Sequence, residues 1–357
     1  PQYRLLTTKQ SEWIRGQALL TGRWMGYGSL FLVLAIVAAF GLNHELLERQ
    51  YPSPPDWSFL SRTRYRAARG KEEPESEELG LVNWGIVGDL YARVLRRLED
   101  PNIDGAGLQE VEEGGILVPG VGKAGYDLSN KSETWRRGYF EVLMGCAQAA
   151  EHLDDHVLDT KRRMVFKKDY VIGPSNPDPK PIPPWMHDAP LEENCQTAYD
   201  PPEKFYLRIL TSTGFTTKQR LDAALAYGNW LDYKTLHSSA EEMYRWALDI
   251  ATSALSSSTS STIDPLTAVI HPNATAITPN IIQAATSLAI HHASTSNLSA
   301  ALPIFLSVLR ARRAAPPPDP SLVSNSNSNN GGESKAIFKQ QGATDIAVLS
   351  NYTRQFL

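Results

Sequence analysis

The feature that most constrains this chain is one uncharged apolar run, Met25-Gly-Tyr-Gly-Ser-Leu-Phe-Leu-Val-Leu-Ala-Ile-Val-Ala-Ala-Phe-Gly-Leu42. At about 1.5 Å per helical residue it reaches roughly 27 Å, close to the hydrocarbon thickness of a bilayer. A signal-peptide core is shorter and precedes a small-residue cleavage site, whereas Asn43-His44-Glu45 follows here. A buried core helix of this length usually keeps a polar face. The run therefore predicts a single membrane span. Arg4, Lys9, Arg15 and Arg23 precede it against Glu12, while Glu45, Glu48 and Asp56 follow it against Arg49. Positive charge stays on the synthesis side, so the body after the span is expected across the membrane. Trp24 and Tyr27 suit the lipid–water boundary.

The rest reads as a polar helical body. A net charge of −4 with no dominant basic face argues against a nucleic-acid partner. Two cysteines, Cys146 and Cys195, exclude a disulfide framework or a cysteine zinc site and leave one bridge open. The sequons at Asn130, Asn273, Asn297 and Asn351 are too short to select a compartment. Because the chain starts at Pro1 and ends within a helical pattern, a longer natural chain is expected at both ends.

Helical repeats emerge beyond residue 200. Thr216-Thr-Lys-Gln219 forms a capping box before an apolar-periodic helix to Tyr233, and Ser238-Ser-Ala-Glu241 offers a second box. Gly228, Ala240, Tyr244 and Ala247 fall at tetratricopeptide-repeat intervals, where small residues let two helices approach and an aromatic plugs the groove. Thr278-Pro279 starts another helix, and Ala289, Ala301, Phe305 and Val308 repeat the same intervals. Upstream, Thr134–Leu153 is a first helix with Gly145 at the small position and Lys204–Leu210 as its partner. Asn83–Leu98 and Trp57–Gly70 are further helices that complete the array.

The expected architecture is all-α, a single N-terminal transmembrane helix followed by a degenerate tetratricopeptide-repeat solenoid. Its parts are a basic segment at 1–24, the span at 25–42 and repeats over 43–314. A Pro-rich insertion at 161–202 is expected to run extended rather than fold, and a Ser-rich insertion occupies 252–277. Residues 315–336 read as a disordered linker and 337–357 as a helical segment.

Catalytic and cofactor chemistry is not expected. His152 and His156 stand one helical turn apart, but Asp155 is short for an inverted zinc-protease base and no third ligand is evident. Gly120-Val-Gly-Lys-Ala-Gly125 matches a dinucleotide fingerprint only in its glycines, and the loop-like residues after it point to a turn or short hairpin. His291 and His292 read as structural within a repeat helix. Lys161-Arg-Arg163 and Lys167-Lys168 form a basic patch, read as a solvated helix face, with acidic lipid or an acidic partner as the other reading.

The Gln219–Ile250 block, the basic N-terminus, the one span, the Tyr51-Pro-Ser-Pro-Pro-Asp56 segment and the degenerate repeats together resemble fungal mitochondrial inner-membrane tetratricopeptide proteins. The nearest resemblance is to the adaptor family of the i-AAA protease. It covers much of residues 20–310, and the repeat motif is its specific part. The resemblance implies a single-pass inner-membrane protein with its C-terminal domain in the intermembrane space. It implies a non-enzymatic adaptor without cofactor or metal, which presents unfolded or membrane-protein clients to an AAA protease complex. Client contacts are then expected at exposed first-helix residues, Asn229, Tyr233, Ala285 and His292. The alternatives are a chaperone-docking receptor or a membrane-complex assembly factor. The docking clamp lacks its cation, because Leu225 stands where Lys is required and Ile290 follows Ala289.

Overall fold

A computed structural model describes residues 8–73, 82–110, 117–118, 122–123, 125–182, 188–253, 255, 262–272, 274 and 277–314. The expected linker at 315–336 and helical segment at 337–357 lie outside the described residues. The described chain is mostly helical and divides into two compact units, 1–256 and 257–357.

In the first unit α1 runs unbroken from Thr8 to Gln50, 43 residues or about 64 Å. From Thr8 onward the described part of the basic segment and the apolar run are one continuous helix, and none of its most apolar stretch is buried against protein. Five body helices that follow were expected from apolar spacing: α2 (Phe59–Glu72), α3 (Trp84–Glu99), α4 (Glu133–Leu153), α5 (Pro202–Thr211) and α6 (Thr217–Tyr233). The sixth, α7 (His237–Ser253), starts one residue before the expected box, so Ser238 lies within its first turn. Caps set several of the starts. Asn83 and Ser132 accept from the amides of Ile86 and Trp135, Pro202 opens α5, and Thr216 and Gln219 complete the reciprocal box.

Each helix from α2 to α7 packs on the next in chain order, and α4 takes α5 as its partner across the insertion. Small residues allow the close approaches. A Cβ placed at Gly145 would lie 2.5 Å from the Tyr91 ring of α3, and one at Gly228 would lie 2.9 Å from Tyr244 of α7. Buried tyrosines fill these seams, and acidic or amide side chains accept from their hydroxyls. Tyr91 donates to Glu72 at 2.7 Å, Tyr139 to Glu99 at 2.9 Å, Tyr206 to Glu151 at 2.6 Å and Tyr244 to Asn229 at 2.7 Å. The ring contributes apolar area while the hydroxyl escapes the cost of an unmet donor.

The insertion departs from the extended course predicted for it. β5 (His156–Asp159) pairs antiparallel with both β6 (Met164–Lys167) and β7 (Cys195–Thr197). Asp159 holds the β5–β6 turn through the Lys161 amide at 2.9 Å, with Arg163 at φ 54°, and Phe166 is buried. The prolines crowd the middle of the segment. Val157 and Leu158 just before it, and Val165 and Phe166 near its start, have the side chains a pleated surface favours. Lys161, Arg162, Arg163 and Lys167 of the basic patch accordingly sit on a hairpin, and Lys168 begins the short 3-10 turn that follows it. Further upstream, β1 (Gln109–Glu110) pairs with β4 (Tyr126–Asp127), and β2 (Leu117–Val118) with β3 (Gly122–Lys123). The glycine run therefore contributes to a short hairpin, as its turn-like composition predicts, and opens no helix.

The second unit contains α8 (Pro279–Ser294) and α9 (Leu298–Ala314), packed as a hairpin. Part of the Ser-rich insertion is ordered before them: Ile263 bridges Ile270, both are buried, and the Ile270 amide donates to Ser307 of α9 at 3.2 Å.

The α6–α7 and α8–α9 connections share one geometry. The Thr235 amide donates to Asp232 and that of Leu236 to Leu231; the Ser296 amide donates to Ala293 and that of Asn297 to His292. Thr235 and Ser296 are left-handed, at φ 61° and 63°. Both are Schellman endings with a non-glycine residue in the left-handed position. They occupy equivalent places between the paired small residues, Gly228 and Ala240 in one hairpin, Ala289 and Ala301 in the other.

Candidate functional site

Two recesses in the first unit collect polar and aromatic side chains. The smaller, about 400 Å³, opens between α4, α5 and α6 and is lined by Glu151, His152, Tyr206, Asn229, Trp230 and Tyr233. Tyr233 is 68% exposed and stacks on Trp230 with ring centroids 5.6 Å apart, while Lys234 stands 5.0 Å over the Trp230 ring. Lys234 also pairs with Asp154 and, at 3.6 Å, with Asp155, which joins the C-terminal ends of α4 and α6. Tyr206 stacks on Tyr227 at 5.5 Å and donates to the Glu151 carboxyl.

Burial pushes the Glu151 carboxyl up to about 7, against the opposing effect of the Tyr206 hydroxyl. Near neutral pH it is therefore part acid and part carboxylate. His152 stacks on Trp84 at 4.1 Å; desolvation, then the nearby His156, lower its pKa. The pocket thus presents two aromatic faces, a neutral imidazole, a carboxamide and a carboxyl that can donate or accept. That set can grip backbone amides and apolar side chains. Among the described lining residues there is no Ser, Thr or Cys to act as a nucleophile.

The larger recess, about 1190 Å³, lies between α3, α5 and the β5–β7 sheet. Its charges are largely paired: Arg93 with Asp89 at 2.6 Å, Lys204 with Asp200 at 2.7 Å, and Arg208 with Glu99. Arg96 and Arg163 add positive charge beside exposed Ile86 and Met164. This chemistry suits an extended segment carrying acidic and apolar side chains.

The residues singled out by repeat spacing divide clearly. Gly228, Ala240, Tyr244 and Ala247 are buried in the α6–α7 seam, and Ala289 and Ala301 are buried in α8 and α9. Phe305, the expected plug, is only half-buried, and its neighbour Ile304 is the buried residue. Asn229 and Tyr233 are exposed in the smaller cleft, although the Asn229 carbonyl already accepts from Tyr244. Ala285 and His292 require correction. They are 0% and 5% exposed, and with Ile281, Leu288 and Ala289 they form one buried stripe of α8, so neither offers a side chain to a groove.

The His152/His156 spacing also fails as a helical pair, because α4 ends at Leu153 and His156 opens β5. Both cysteines are free thiols: Cys146 is buried, and Cys195 donates to the Leu191 carbonyl at 3.3 Å. Spacing missed Glu151 and Tyr206, whose partnership crosses the insertion. Comparisons with protein-family models, curated proteins and solved structures found no match to this chain.

Proposed function

We propose that this protein is a non-catalytic, membrane-tethered adaptor that binds polypeptide through its helical body. The observation that carries the reading is the join of two parts. An apolar helix with no protein covering it continues directly into stacked helical hairpins with an open aromatic cleft. A fully exposed apolar surface of that length needs lipid, and a cleft of stacked rings and mixed hydrogen-bonding groups suits extended chain. In this reading the hairpins are degenerate tetratricopeptide units. The matched small residues and the duplicated Schellman connection of α6–α7 and α8–α9 support it.

The proposal extends to an inner-membrane AAA protease as the partner, unfolded or membrane-protein segments as clients, and a mitochondrial inner-membrane site with the body in the intermembrane space. Charge around the apolar run supports the orientation. Tethering would hold the cleft close to a co-resident protease and raise its effective concentration there. A chaperone-docking clamp is the weaker reading, because Leu225 is buried and Asn229 is engaged by Tyr244.

The test is a mild-detergent pull-down of the full-length tagged protein from fungal mitochondria, with mass spectrometry of the bound proteins. Co-purification of an AAA protease, with client recovery reduced by Tyr233→Glu, is expected. Recovery of Hsp70 or Hsp90 without a protease would overturn the protease reading in favour of the docking receptor.

A further inference from the structure

The body is not hung from α1 by a loose linker. The His44 ring stacks on Phe59, with centroids 5.3 Å apart and planes 9° apart, and Phe40 meets the same ring at 6.2 Å. One turn further along α1, Glu48 pairs with Arg62 at 3.0 Å and with Arg66 at 2.8 Å, and accepts from the amide and hydroxyl of Ser53. The buried Arg66 also donates to the His44 carbonyl at 3.2 Å. Beyond the end of α1, a Cβ placed at Gly70 would lie 3.6 Å from the Tyr51 ring, and the Tyr51 hydroxyl donates to Glu73 at 2.7 Å. The contact partners advance together along both helices, so α2 runs beside the last turns of α1 in the same direction.

That geometry sets a height for the start of α2. Phe40 belongs to the apolar run, so the ring of Phe59 stands level with its end. Phe59 and Leu60 are 49% and 52% exposed. The exposed Ile103 belongs to the same end, because its neighbour Asp104 accepts from the Ser58 amide at 2.8 Å and from the hydroxyls of Ser58 and Ser61. Arg64 follows one turn after Leu60, about 6 Å further along α2. Apolar side chains at the hydrocarbon edge with a guanidinium one turn above match the layering of a bilayer surface.

We propose that this end of the body, through Phe59, Leu60 and Ile103, is seated in the headgroup layer of the bilayer that α1 crosses. The clasp between α1 and α2 then fixes the body's orientation at the membrane. The inference rests on reading α1 as a span.

The test uses full-length protein in phospholipid vesicles, with Cys195→Ser to remove the accessible thiol. An environment-sensitive dye is attached in turn at Leu60→Cys, at Ile36→Cys within the apolar run, and at Ser239→Cys at the start of α7. Ser239 lies near the end of α4 that Lys234 joins, whereas Asp56 accepts from Ser132 and Thr134 at the other end. The 21 residues of α4 separate those ends by about 30 Å. Lipid spin-labelled near the headgroup is expected to quench the Leu60 probe roughly twofold or more and to leave the Ser239 probe unchanged, and lipid spin-labelled within the acyl chain is expected to quench the Ile36 probe. Quenching at Ile36 without quenching at Leu60 would overturn the seating and leave the span intact. Absence of quenching at Ile36 would overturn the span and the seating together.

Discussion

Glu151 offers the sharpest test of the cleft as described. Its carboxyl is half-buried and accepts from Tyr206, and burial raises its pKa from 4.5 to about 7. A folded-state value above the unfolded one means that the unfolded chain releases this proton more easily. Below about pH 4.5 both states hold the proton and the group is neutral in its effect. As pH rises towards 7 the folded state progressively bears a penalty, which is complete above it. The shift of roughly two and a half units corresponds to about 3 kcal/mol at pH 8, as an upper bound.

Glu151→Gln removes the ionisation while keeping a carbonyl for the Tyr206 hydroxyl. The variant should be more stable than the native protein at pH 8 by roughly 2–3 kcal/mol, with the difference vanishing near pH 4.5. Urea unfolding of the detergent-solubilised full-length protein, followed by tryptophan fluorescence at both pH values, measures it. A difference that does not change with pH would refute the assigned burial. So would a variant less stable than the native protein at pH 8, because the amide would then be losing more than the charge costs.

Other seams give predictions of contrasting sign. Gly145→Ala should destabilise by about 1–3 kcal/mol in a urea titration, because Tyr91 is held by Glu72 and cannot yield easily. Gly228→Ala should cost clearly less, since its overlap with Tyr244 is milder and alanine regains about 1 kcal/mol of helix propensity. Thr235→Gly and Ser296→Gly should each stabilise by roughly 1 kcal/mol, read as a raised thermal midpoint, because glycine relieves the left-handed strain. Arg208→Leu strands the Glu99 carboxylate that Tyr139 also contacts, and a loss of about 3 kcal/mol is expected in the same titration.

What the sequence disclosed depended on how far apart the interacting residues lie. The apolar run needs no partner to be recognised, and the α6–α7 and α8–α9 hairpins repeat small residues across short connections. The β5–β7 pairing was hidden because the prolines between its strands dominate the local composition. Asn229 and Tyr233, which the resemblance placed on an exposed first-helix face, line the smaller cleft. Glu151 and Tyr206 were not foreseen, since their contact spans the insertion and neither belongs to a motif. Ala285 and His292 failed because they are the α8 counterparts of Ala224 and Leu231, which α6 buries too, so the two helices bury the same stripe. The α8 counterparts of exposed Asn229 and Tyr233 are Ile290 and Ser294, and both are exposed. Repeat register thus fixes both where the helices approach and which face remains open.

The tyrosines carry that argument one step further. A small residue brings two helices close, and the ring that fills the seam delivers a hydroxyl to its edge. There it requires an acceptor. Glu72, Glu99, Glu151 and Asn229 meet this need, so each is held in place by packing on its neighbour. Two of these acceptors, Glu151 and Asn229, line the smaller cleft, and Glu99 lines the larger. The polar groups that line the two clefts are thus positioned by the same contacts that hold the helices together. Replacing Tyr206 with Phe should therefore leave the ring packing intact while freeing the Glu151 carboxyl. Its pKa should then rise, because the one hydrogen bond that favours its charged form is lost. A carboxyl titration by isotope-edited NMR would read that shift directly, and an unchanged value would show that Tyr206 does not hold the group.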